Sequence, residues 1–225
     1  MQFVNTLKDK LASKHLLNHP FYQAWTEGKL TLPMLQDYAE QYYKHVDAFP
    51  RYLSATHSNC ETIEDRQVLL ENLMDEERGS EHHPELWLRF AESVGANREG
   101  VKAAQVKPYT KNLVDTFMSL SRSSYAEGLG ALYAYEHQVP AVAESKMKGL
   151  KDFYGIDSKR ATDFFNVHLK ADVYHSQAAA DLMEKLPEAD KKLALAAADK
   201  AASALWGFLD GQWAEIKNEV QSCGC

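Results

Sequence analysis

"HLKADVYH", residues 168–175, sets a histidine, an aspartate and a second histidine at intervals of four and three. An α-helix advances about 100° per residue, so Asp172 and His175 project only roughly 40° and 20° away from His168. All three side chains leave one narrow stripe of a helix. Imidazole and carboxylate together are what a first-row transition metal binds. The stripe is either a solvated helix face or three ligands aimed inward, and the segments around it bear on which.

Outward from this stretch, almost every long segment repeats its apolar residues at helical spacing, and none alternates as a strand would. Glycine is scarce and falls, with most of the prolines, at element boundaries. The pattern predicts helices over 2–17, 20–27, 31–57, 61–78, 84–95, 108–121 and 124–137, a continuation past Pro140 to 154, then 158–185 and 189–219. Pro33 suits a first turn, whereas Pro50 predicts a kink in the long helix. No linker rich in Pro, Ser or Gly divides the chain, and no internal repeat appears. The expectation is a single all-α domain over residues 1–219, a bundle of seven to nine helices, with a loose tail at 220–225.

Composition narrows the function classes. The chain has 225 residues, 45% hydrophobic and 25% charged, as in ordinary globular domains. A formal charge of −7 without a basic cluster argues against nucleic acid or an anionic membrane as a partner. No apolar run nears the ~20 residues that span a bilayer. The opening "MQFVNTLKDKLASKH" reads as an amphipathic helix rather than a signal peptide, so a cytoplasmic location is expected. Three cysteines are too few for a disulfide framework. Cys60 stands alone; Cys223 and Cys225 form a C-x-C pair, either two exposed thiols or a redox or metal-handling tail.

Metal sites in helix bundles are built from side chains that project inward from facing helices. In "LMDEERGSEHHPELW" (73–87) Glu76 and His83 are seven apart, two turns along one face, although Gly79 and Pro84 predict a bend between them. His82 leaves the register ambiguous. Glu136 lies in "ALYAYEHQVP" (131–140), among small and aromatic residues where an acid is costly unless paired or metal-bound. With His168, Asp172 and His175 these make three carboxylates and three imidazoles, about the set that two carboxylate-bridged irons or manganeses need. On spacing alone, a metal site and a group of solvated faces both remain open.

The segments "NHPFYQAWTEGKLT", "YAEQYYKHVDAFPRYLSATHS", "LLENLMDEERG", "ALYAYEHQVP" and "HLKADVYHS" resemble, in order and spacing, the chlamydial protein associating with death domains and its bacterial relatives. These belong to the haem-oxygenase-like dimetal oxidases, and the resemblance runs from about residue 5 to residue 210. It implies a seven-helix haem-oxygenase-like bundle and a homodimer. It also implies a pair of metal ions (Fe/Fe, Mn/Fe or Mn/Mn) on Glu76, His83, Glu136, His168, Asp172 and His175, with O2 and an external reductant as co-reactants. The implied activity is synthesis of p-aminobenzoate, the folate precursor, from a tyrosine of the enzyme's own chain. Tyr22 in "HPFYQAW" matches the sacrificed tyrosine, Lys146 in "VAESKMKGL" the amino donor, and Tyr38 in "QDYAEQYY" a second tyrosine near the site. Without the resemblance these three read as a boundary aromatic, a surface lysine and a core tyrosine.

Other readings keep the fold and change the chemistry. Pyrroloquinoline-quinone synthase and thiaminase-like proteins share the architecture without a dimetal centre. A thiaminase needs a nucleophilic cysteine, and Cys60, the internal candidate, falls where the long helix should be leaving the core. A haem oxygenase needs one proximal histidine and a glycine-rich distal helix, for which Gly128 and Gly130 are a hint. A protein-interaction module would need a docking surface, and no apolar or strongly charged one stands out in the sequence.

Overall fold

Prolines and capping side chains set where the helices begin. Five of the seven prolines sit in the first turn of a helix, where the missing N–H has no partner to lose. Asn97, Ser124 and Ser158 each accept a hydrogen bond from a backbone N–H of the turn they precede. The computed structural model describes residues 2–222, so Cys223 and Cys225 lie outside the described residues. Its order is α1 (Gln2–Leu11), two 3₁₀ turns (Ala12–Lys14 and Leu16–Asn18), α2 (Pro20–Thr26), α3 (Leu32–Ser58), α4 (Ile63–Glu77), α5 (His83–Ser93) and α6 (Arg98–Ala103). There follow α7 (Pro108–Ser123), α8 (Tyr125–Glu136), α9 (Val139–Tyr154), α10 (Lys159–Glu184) and α11 (Glu188–Ser222). No strand occurs among the described residues.

The all-α expectation holds, with four corrections. Eleven α-helices are described rather than seven to nine. The first predicted helix stops at Leu11, because the Leu16 N–H donates to Gln138 Oε1 at 2.9 Å and that tertiary bond turns the chain. The stretch after Gly95, read as a plain connection, holds the short α6. Finally, α3 runs without a break through Pro50, whose flanks Phe49, Tyr52 and Leu53 are buried. Packing of that face outweighs the one hydrogen bond that proline removes. Cys60 also differs from expectation: it is buried just after α3, and its thiol donates to the Thr62 carbonyl.

The centre of the bundle is α8, buried on every side from Gly128 to Glu136. A side chain at Gly130 would collide with the carbonyl oxygen of Ala194 on α11, and one at Gly128 with Thr56 on α3. The two glycines therefore serve close helix packing, not a haem. No helix of the described residues is long and apolar enough to cross a membrane. Seventeen polar or charged residues are buried among those described, and six of them are Glu76, His83, Glu136, His168, Asp172 and His175.

Candidate metal centre

Glu76 lies in the last turn of α4 and His83 at the first position of α5. Between them Gly79 takes φ +82°, a left-handed conformation that glycine adopts without strain. The chain re-enters a helix at His82, whose side chain accepts from the Glu85 N–H at 3.3 Å and so caps α5. His82 is thereby occupied, and His83 turns inward. The ambiguity in register ends there.

His83 Nδ1 lies 2.8 Å from Glu76 Oε2, an ion-pair contact whose angle falls short of a regular hydrogen bond. His168 completes a buried triad: one ligand atom from each of Glu76, His83 and His168 falls within 4.8 Å of the other two. Nδ1 of His168 is 2.5 Å from the Phe164 carbonyl oxygen. A carbonyl only accepts, so the proton is on Nδ1 and the lone pair on Nε2.

The other three candidates border this triad without joining the same tight group. Glu136 Oε1 accepts from Asn72 Nδ2 at 2.6 Å, while its Oε2 has no partner. Asp172 is buried with Oδ2 unpartnered. His175 Nε2 lies 3.1 Å from Asp75 Oδ2. Sequence reasoning misses Asn72 and Asp75; the signal for Asn72 is its position one turn before Glu76, and Asp75 is hidden in an acidic run.

Electrostatics sorts the six. Burial alone pushes Glu76 up, but the surrounding His83, His168 and His175 hold it below the usual carboxylate range. Burial pulls His83 down, and the Glu76 charge more than restores it. His168 is lowered to about 3, by burial first and His83 second. Asp172 is pushed well up by burial and then by the charges of Glu136 and Glu76; Glu136 is raised by burial and by Glu76, against the pull of Asn72. Three acids crowded in a dry place, two of them with an unpartnered oxygen, are unfavourable unless a cation joins them. The mixed nitrogen and oxygen donors suit iron or manganese. The residues fit a metal.

A second buried group adjoins the first through aromatic rings. Phe164 leans on His168 at 4.2 Å and packs on Trp87 at 4.8 Å, which in turn lies 6.0 Å from Tyr38. Lys146 of α9 donates to the Tyr38 hydroxyl at 2.7 Å, and the Tyr38 and Tyr22 hydroxyls are 2.9 Å apart. Burial lowers Lys146 to about 7. The cavity beside it, lined by Tyr42, Tyr135, Lys146 and Phe164, measures about 10 Å³. A separate cleft of about 450 Å³, lined by Asp75, Glu81, His83, Lys159 and Asp163, opens to solvent. The three residues that the sequence alone reads as unremarkable thus form one buried hydrogen-bonded chain.

The family described as "iron-containing redox enzyme" matches residues 36–207, a span that contains all six buried acids and histidines of the centre. The chain belongs to that family. Membership makes the chain an oxidoreductase. It is 45% identical to a Nitrosomonas europaea protein named 4-aminobenzoate synthase, over 92% of this chain and 91% of that one. A Chlamydia muridarum protein of the same name is 41% identical, over 93% and 89%. A solved domain of unknown function from Shewanella denitrificans, described as having a haem-oxygenase-like fold, superposes with a TM-score of 0.82. It covers 95% of this chain and 93% of its own at 19% identity, which establishes the fold of this redox enzyme and nothing more.

Proposed function

We propose that this redox enzyme makes 4-aminobenzoate from the ring of its own Tyr22, with Lys146 as amino donor and two metal ions on Glu76, His83, Glu136, His168, Asp172 and His175. The observation that carries the reading is the sealed Tyr22–Tyr38–Lys146 chain, with a cavity of only about 10 Å³ at the lysine. That space is of the order of one water. An external aromatic substrate has no room there, and a phenol already occupies the place.

Tyrosine and 4-aminobenzoate share a para-substituted ring. Conversion requires the Cα–Cβ bond to break, leaving a glycine-like Cα, Cβ to be oxidised to a carboxyl group, and the ring oxygen to leave as water while the lysine nitrogen, parted from its Cε, takes its place. When bound, the two ions would supply oxidising power drawn from O2, with electrons from an external reductant; the pairs Fe/Fe, Mn/Fe and Mn/Mn all suit the ligands. The chain's own residues do the rest. Burial keeps a large share of Lys146 neutral near pH 7, and only the neutral amine has a lone pair to give. Tyr38 is the group that touches both partners, so it carries protons between the lysine and the Tyr22 hydroxyl. The aromatic wall of Trp87, Phe164 and Phe165 excludes water from that exchange.

The open cleft at His83 favours a second reading, in which an external small molecule is oxidised there. Protein labelled with ring-¹³C tyrosine during expression separates the two. Label in 4-aminobenzoate, a matching mass loss in the peptide that contains residue 22, and no product from metal-loaded Tyr22→Phe are the expected results. Entry of label from free tyrosine added later, or many products per chain, would sink the first reading in favour of the second.

A further inference from the structure

On α4, Glu76 points into the triad while its neighbour Asp75, about 100° around the helix, faces α10 and meets His175. The Asp75 side chain is 59% exposed and that of His175 only 4%, so an acid at the surface holds a histidine in the core. A carboxylate only accepts, which puts the proton on Nε2 of His175 and leaves the lone pair on Nδ1. This is the reverse of His168, whose proton is on Nδ1 and whose brace comes from its own helix. Three residues before Asp75, on the same side of α4, Asn72 braces Glu136. Helix α4 therefore gives Glu76 to the gathered triad and, through Asn72 and Asp75, orients two of the three residues outside it.

We infer that Asp75 is a positioning residue that presents His175 to the second metal ion through Nδ1 and sets the affinity of that ion, with little effect on the first position. The inference rests on the two-metal reading above. Loss of a carboxylate that braces a metal-binding histidine weakens a metal site about ten- to a hundredfold. No hydrogen bond joins Asp75 to the triad Glu76–His83–His168, and its charge is only the last of the influences on His83, so the ion of the triad should sense the change far less than the second.

The test is an anaerobic titration of metal-free protein with Mn²⁺ alone, followed by equilibrium dialysis and low-temperature EPR. Wild type should bind two equivalents, an isolated six-line signal giving way to the broadened spectrum of two coupled ions. Asp75→Ala should bind its first equivalent as wild type does and its second at least tenfold more weakly, keeping the six-line signal at two equivalents. Asp75→Asn, whose amide oxygen still accepts from Nε2, should recover most of the second equivalent. Because the site of change is exposed, all the metal-free proteins should melt together. An unchanged second equivalent in Asp75→Ala, or an equal loss at both, overturns the inference while the two-metal reading stands. A wild type that holds a single equivalent takes down both.

Discussion

Six aromatic rings have their centres between 4.9 and 5.8 Å from the Lys146 nitrogen, and its hydrogen bond goes to Tyr38. A lysine held at about 7 when folded and near 10.5 when unfolded binds its proton less readily in the native state. Stability therefore rises as pH climbs from about 7 to about 10.5 and is lowest below that window. Lys146→Met should be the more stable protein near pH 7, by a few kcal/mol, since each tenfold loss of proton affinity on folding costs about 1.4 kcal/mol. The gain should fade towards pH 10.5. Denaturant melts of the two proteins across that range measure it. The same variant should load metal and make no 4-aminobenzoate. At the other end of the site, His82→Ala should lose about 1 kcal/mol of capping and keep its metal, whereas His83→Ala should lose metal, as elemental analysis will show. The stripe of His168, Asp172 and His175 is legible in the sequence because helical arithmetic needs no tertiary information. The choice between His82 and His83 is not, since it turns on one backbone angle at Gly79. Asp75 is illegible for another reason: its partner lies a hundred residues away on α10.

Among the elements, long amphipathic helices such as α3, α10 and α11 can be read to within a few residues, because each repeats its pattern many times. Short ones cannot. The six residues of α6 give too few turns for a period to emerge, and the end of α1 is decided by Gln138, far along the chain. Glycines in helices show the same contrast between local and tertiary causes. Gly130 faces the backbone of α11, whereas nothing lies within 4 Å of the position a side chain would take at Gly207. Gly130→Ala should destabilise by about 1–3 kcal/mol and weaken metal binding, because it pushes on the helix that carries Glu136. Gly207→Ala should stabilise by about 0.5–1 kcal/mol, the usual gain of alanine over glycine inside a helix. Thermal melts of the pair check both signs. Similar behaviour of the two would mean that α8 and α11 are not packed backbone to backbone.

Across the whole molecule, the crowded acids couple folding to metal and pH. Without metal, Asp172 and Glu136 hold their protons more tightly when folded than when unfolded. Their contribution is present in acid and is lost as pH rises through the folded values, Glu136 near 8. A bound ion needs these acids ionised and so opposes the loss. Metal should raise the melting temperature, and the gap between loaded and metal-free protein should widen from about pH 5 to about pH 8. A gap that is constant across that range would place the ions elsewhere.

Tyr22 is 1% exposed, packed edge-on to Phe21 at 5.7 Å and beside Trp25 at 6.3 Å. On the proposed chemistry the departing ring would leave a hollow where Tyr22 of α2 meets Tyr38 of α3 and Lys146 of α9. Emptying a buried aromatic position removes about 3–5 kcal/mol from a total that for most domains is about 5–15. Tyr22→Gly, a mimic of the used chain, should melt earlier and be cut sooner than wild type in the segment 19–31. On the same chemistry release of the product would require α2 to lift, and the helix that lifts would have lost its anchor. On that chemistry fresh and exhausted molecules would differ in softness, so ordinary proteolysis would clear the exhausted ones without a dedicated signal, and the supply of new chains would set the yield of product.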